Sequence, residues 1–146
     1  NNGAQFDENG NMSNWWTEED YAVFREKCNE VIELYDGLEI APDCIVNGAL
    51  TVSENVADIG AMACILDIAN GMSEVDYEKL FESYAKIWRM TATNKYYQML
   101  TLQDTHAPNK FRVNQVLKNF EKFYETYDVQ PGDKMYMAPE ERVIVW

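Results

Sequence analysis

The segment from Ser53 to about Asn70 constrains the fold most, because its pattern is helical and unusually rich in small residues. Ala57, Gly60, Ala61, Ala63 and Ala69 leave little side-chain bulk along it. Small side chains let another helix approach closely, so this segment is expected to be buried on more than one side. Two carboxylates, Glu54 and Asp58, stand one helical turn apart on it and therefore share a face. In a buried setting such a pair repels and loses hydration unless a metal or another positive group satisfies it. On a solvated face the same pair costs only about 0.2–0.5 kcal/mol, and spacing alone leaves both settings open.

Apolar periodicity predicts further helices on either side. Thr17 can cap a helix whose first turn, Glu18-Glu19-Asp20, suits the positive end of the dipole. Tyr21, Phe24, Cys28, Val31, Ile32 and Tyr35 then form one apolar stripe, which Asp36-Gly37 ends. Pro42-Asp43 and Asn47-Gly48 predict an irregular loop reaching about Leu50. Ser73 is expected to open another helix, with Asp76 as its capping acid and Tyr77, Leu80, Phe81, Tyr84, Ile87 and Trp88 as its core stripe. A shorter helix follows from Asn94 to about Leu102, and after Pro108 a broken helix runs from Phe111 to Tyr127. Glu8-Asn9-Gly10-Asn11 and Pro131-Gly132-Asp133 read as turns, and Arg142 to Trp146 as a short extended piece. The expected fold class is all-α, mainly helical and loop-rich, in one domain over residues 1–146.

A formal net charge of -13 repels phosphate backbones and anionic membranes, which argues against nucleic acid as a partner. No apolar run approaches the roughly 20 residues of a membrane helix. The three cysteines, Cys28, Cys44 and Cys64, are too widely spaced for a zinc ribbon and too few for a disulfide framework. Cys28 and Cys64 are expected to be small core residues, and one bridge involving Cys44 stays open. The start at Asn1-Asn2-Gly3, with no initiator methionine, reads as a cut inside a longer protein.

His106 is the only histidine, in Asp104-Thr105-His106-Ala107-Pro108. Placed there it can stabilise developing negative charge, or simply be an exposed loop residue. Arg112 offers a guanidinium suited to a carbonyl or carboxylate, with a structural ion pair as the other reading. One histidine without a close cysteine pair cannot complete a zinc site, which takes about three or four protein ligands. Adjacent acids on one helix face also match poorly the carboxylates that flank a sugar in a glycosidase.

Four stretches in order resemble the neprilysin-like (M13) zinc metallopeptidases. Val46-Asn47-Gly48 with Ser53-Glu54-Asn55-Val56-Ala57-Asp58-Ile59-Gly60 resembles the family's V-N-G…G-E-N-I-A-D-x-G segment. Gly3 to Gly10 with Trp15-Trp16-Thr17 looks like the stretch just after the family's H-E-x-x-H helix. Asp104-Thr105-His106-Ala107-Pro108 with Phe111-Arg112-Val113-Asn114 resembles its D-x-H-x-P-x-x-x-R-V-N element. Phe123-Tyr124, Pro131 to Tyr136 and Arg142 to Trp146 resemble its C-terminus.

The resemblance implies the C-terminal half of a zincin-like (gluzincin) catalytic domain, starting just after H-E-x-x-H. It implies Glu54 as the third protein ligand of one zinc ion, the two histidines lying in the upstream half. Asp58 would accept a hydrogen bond from one of those histidines, His106 would stabilise the oxyanion, and Arg112 would hold a substrate carbonyl beyond the cleaved bond. Ser53 departs from the usual glycine, a change that a helix N-cap could accommodate. The implied function is part of a zinc-dependent metalloendopeptidase acting on oligopeptides, inactive alone and binding zinc weakly or not at all. Its implied partners are peptides and the upstream half, with self-association of the isolated chain and a secreted, periplasmic or cell-surface location. The alternative is a non-catalytic helical interaction module derived from the same family.

Overall fold

The computed structural model describes residues 2–145 and places six α-helices and one two-stranded hairpin around a single core. Helix α1 (Glu18–Tyr35) starts where expected, with the Thr17 side chain accepting the Asp20 backbone N–H. It buries Phe24, Val31 and Tyr35, while Tyr21 stays 37% exposed. The predicted loop after it holds a short antiparallel hairpin, β1 (Glu39–Ala41) with β2 (Cys44–Ile45). Asp43 turns this hairpin at a left-handed φ of 61°, a conformation that aspartate tolerates better than most side chains.

Helix α2 (Gly48–Asn70) begins more than a turn earlier than expected. Asn47-Gly48 reads as a turn in sequence but works as a helix start, with the Asn47 side chain accepting the Leu50 backbone N–H. Ser53 therefore lies inside the helix rather than at its N-cap. Gly48 is there for space: a Cβ on it would stand 2.3 Å from the Ile32 carbonyl oxygen of α1. Its N–H donates to Asp36 Oδ1 at 2.9 Å, which locks the end of α1 to the start of α2.

Helix α3 (Tyr77–Ile87) starts at Asp76, not Ser73, with the Asp76 carboxylate capping the Lys79 N–H. Only Phe81 of its stripe is fully buried, and Ile87 is 73% exposed. Helix α4 (Asn94–Gln103) falls where predicted. The broken helix resolves into α5 (Asn109–Leu117) and α6 (Glu121–Tyr127). Near the end, Pro139–Glu141 form one 3-10 turn and residues 142–145 pair with no strand. Trp146, the last residue of the expected extended piece, lies outside the described residues, as does Asn1.

The core sits where α2 packs on α1 and α5, and α3 on α6. Val31 and Tyr35 meet Val56, Ile59 and Met62 of α2 and Phe111 and Val116 of α5 in one cluster. Phe81, Phe123 and Tyr127 form an edge-to-face and tilted aromatic group at the α3–α6 end. Helix α2 is covered on one broad side, not all round. Ala57, Ala61, Cys64, Ile65 and Ile68 stay exposed in a stripe that continues to Met72.

By length and composition α2 could cross a membrane, with a mean hydropathy of 1.3 in its most apolar window, contrary to the sequence expectation. In this fold it is the central core helix, and 44% of that window is buried. The cysteines also depart from expectation. Cys44, on the hairpin, is the buried one, Cys28 is half-buried, Cys64 is exposed, and all three are free thiols. Cys64 falls on the uncovered side of α2, so it stays out of the core that its apolar sequence neighbours suggested.

Candidate active site

Three elements bring the singled-out residues together. Glu54 and Asp58 project from adjacent turns of α2, His106 comes from the loop before α5, and Arg112 from α5. His106 Nε2 lies 3.2 Å from Glu54 Oε2. Both side chains are partly open to solvent, 45% and 38% exposed.

The His106 ring is held from behind. Asp104 Oδ1 accepts the His106 backbone N–H at 2.8 Å and faces ring Nδ1 at 2.8 Å. The His106 backbone N–H, more than any other contact, pulls the Asp104 carboxyl below the ordinary aspartate range. Asp104 carried no role in the sequence reading, although its place two residues before the histidine is the signal that could have given it one. Pro108, fully buried, then sets the turn into α5.

One turn further along α2, Asp58 forms a two-point ion pair with Arg112. Nε donates to Oδ2 at 2.7 Å and an Nη to Oδ1 at 2.8 Å. Side-chain exposures of 13% and 11% show that water is largely excluded from this pair. The Trp88 ring lies under the guanidinium, 3.8 Å from Cζ to centroid. Tyr84 Oη donates to the Arg112 carbonyl at 2.9 Å, tying α3 to α5.

Burial alone would lower the Arg112 pKa, but the hydrogen bonds and charge of Asp58 outweigh it and the net shift is upward. Burial, with the Asp58 charge behind it, also raises the Tyr84 and Tyr35 phenols. Tyr35 is fully buried and its hydroxyl has no hydrogen-bond partner among the described residues. Trp88, Tyr84 and Tyr35 were read from sequence only as core aromatics. The hold of Trp88 and Tyr84 on Arg112 depends on packing between α3 and α5.

Among the described residues no three His, Cys, Asp or Glu side chains stand together in a way that could hold a metal ion. Glu54 offers a carboxylate of the right chemistry for zinc. The described residues supply too few donors around it to close a site, and what they offer toward such a centre is this one carboxylate.

The chain belongs to peptidase family M13, whose family model matches residues 1–143. It is 49% identical to a neutral endopeptidase of Lactococcus lactis subsp. lactis over 146 residues, all of this chain and 23% of that protein. The crystal structure of PepO from a Lactobacillus superposes with a TM-score of 0.91 at 37% identity, covering 100% of this chain and 23% of that one. The zinc metalloprotease Zmp1 of Mycobacterium tuberculosis, solved with an inhibitor, superposes with a TM-score of 0.84 at 30% identity, covering 99% of this chain and 24% of that one. The chain thus spans about a quarter of the length of the relatives it matches.

Proposed function

We propose that this chain is one wall of the active site of a zinc-dependent endopeptidase that hydrolyses peptide bonds in oligopeptides. The observation that carries this reading is the row formed by His106, Glu54, Asp58 and Arg112. Two carboxylates, an imidazole and a guanidinium face one another across α2 and α5, with Glu54 and His106 reaching solvent. Membership of a peptidase family supports it.

In this reading Glu54 is the one zinc ligand that the chain supplies, and two histidines come from the remainder of the longer protein. Bound zinc would polarise the scissile carbonyl and the attacking water. Asp58 spends one lone pair of each oxygen on Arg112 and keeps others to accept an N–H from a metal-bound histidine, fixing its ring. His106, braced by Asp104, donates to the oxygen that gains charge as water adds to the carbonyl. Arg112, with two of its N–H groups on Asp58, keeps others for a backbone carbonyl beyond the cleaved bond.

Glu54 also stands at the head of the exposed stripe of Ala57, Ala61 and Ile68, which suits close packing by the segment that brings the histidines. The chain alone is inactive in this reading and binds zinc weakly. In this reading, by family resemblance alone, the longer protein works at the cell surface, in the periplasm or outside the cell, and fractionation that found it wholly cytosolic would overturn that part of the reading.

The test is Glu54→Gln in the full-length protein, followed by bound-zinc content and peptide cleavage. Zinc and activity are expected to fall together. Metal retained with activity intact would remove Glu54 from the metal and favour a non-catalytic helical module derived from the family.

A further inference from the structure

We infer that Tyr35, the last residue of α1, is a positioning residue for Asp58, its hydroxyl acting on the carboxylate that serves both Arg112 and a metal-bound histidine. The role rests on the peptidase reading above. Tyr35 is 0% exposed, yet its hydroxyl has no hydrogen-bond partner among the described residues. A buried hydroxyl in that state has lost its bonds to water and regained none, so phenylalanine would suit the core better. The oxygen therefore calls for a use beyond packing.

The neighbouring contacts set Tyr35 at the level of the ion pair. Asp36, the next residue, accepts the Gly48 N–H, which seats the end of α1 on the start of α2. Gln115, one turn after Arg112 on α5, donates to the carbonyl of Leu34, the residue before Tyr35, at 3.0 Å. Tyr35 thus stands where α1 meets both α2 and α5. It shares one buried cluster with Val56 and Ile59, which flank Asp58 in sequence, and with Phe111, which adjoins Arg112.

Electrostatics agree with this placement. After burial, the charge of Asp58 does most to raise the Tyr35 phenol, and Arg112 acts on it in the opposite sense. The phenol stays protonated, an O–H donor without an acceptor of its own. Asp58 has acceptor capacity to match, since Arg112 takes only one lone pair of each oxygen. Shielding from water strengthens the hold of an O–H dipole on a carboxylate. The other candidates are otherwise engaged. Tyr84 donates to the Arg112 carbonyl at 2.9 Å, and the Trp88 ring lies under the guanidinium. The unpartnered atom of Asn55 is Oδ1, an acceptor that offers a carboxylate nothing.

The experiment uses the full-length zinc-loaded enzyme and Tyr35→Phe, which removes one oxygen and keeps the ring in its packing. Both kcat and zinc affinity, the latter by competition with a chelator, are expected to fall about fivefold while KM stays within about twofold. Resistance to denaturant should be unchanged or higher, because a buried hydroxyl without a protein partner is gone. In an Asp58→Asn background the same change should leave zinc affinity where it was, because the charge on which the hydroxyl acts is absent. Parent values of kcat and zinc affinity in Tyr35→Phe would overturn the role. So would a fall in activity matched by a fall in stability, or an undiminished effect in Asp58→Asn. If the parent neither binds zinc nor cleaves peptide, the peptidase reading fails and the role falls with it. A parent that does both, with Tyr35→Phe equal to it, refutes the role alone.

Discussion

Asp58 and Arg112 are each other's main polar partner, which is the structural ion pair that the sequence left open for Arg112. A two-point pair shielded from water is costly to break from one side, because the surviving charge stays desolvated. Asp58→Ala is expected to lower stability by about 2–3 kcal/mol, and chemical denaturation measures it. A loss under 0.5 kcal/mol would mean that Arg112 finds water or another acceptor at once. Asp104 gives a pH prediction at the same scale. Its carboxyl is depressed in the folded state, mainly by the His106 backbone N–H. Its contribution is therefore complete above the ordinary aspartate value and is lost as pH falls through the lower folded value. The His106 loop should loosen only below about pH 4, and Asp104→Asn should flatten that acid limb in hydrogen exchange of the His106 amide.

At the scale of elements, the start of α2 is the joint on which the site depends. Gly48 presses on the Ile32 carbonyl, Asp36 Oδ1 receives its N–H, and Glu54 follows less than two turns later. Gly48→Ala would drive a methyl group into the Ile32 backbone carbonyl, and we expect a loss of about 2–3 kcal/mol in thermal or chemical unfolding. A neutral result would show that α1 and α2 can slide apart without harm.

The same joint explains what was legible in sequence. Helix α1 could be read because a cap at Thr17 and an apolar stripe agree. Asn47-Gly48 misled because a capping asparagine and a close-packing glycine look like a turn. The α3 stripe misled because Ile87 follows the period yet is 73% exposed, while Trp88, next in sequence, meets Arg112. Glu54, Asp58, His106 and Arg112 could be singled out through their motifs. The Asp58–Arg112 contact could not, because it joins residues far apart in the chain, and no local pattern encodes such a pairing.

At the scale of the whole molecule, the exposed stripe on α2 is a departure from a closed surface. Ile65 and Ile68 are 40% and 68% exposed on the helix that also forms the core, and Met72 just past its end is 60% exposed. An apolar face of this kind favours association when its natural cover is missing. The isolated chain is expected to run larger than a monomer by sedimentation, and Ile68→Lys should shift it back. A monomer at high concentration would mean that the face needs no cover.

The pair that joins α2 to α5 also ties the chemistry to the order of folding. Asp58 and Arg112 stand 54 positions apart, so the chain between them has to close as one long loop before they meet. The orientation that Asp58 gives the guanidinium is therefore a property of the closed loop and not of either helix alone. A partly unfolded molecule in which that loop is open would lack it.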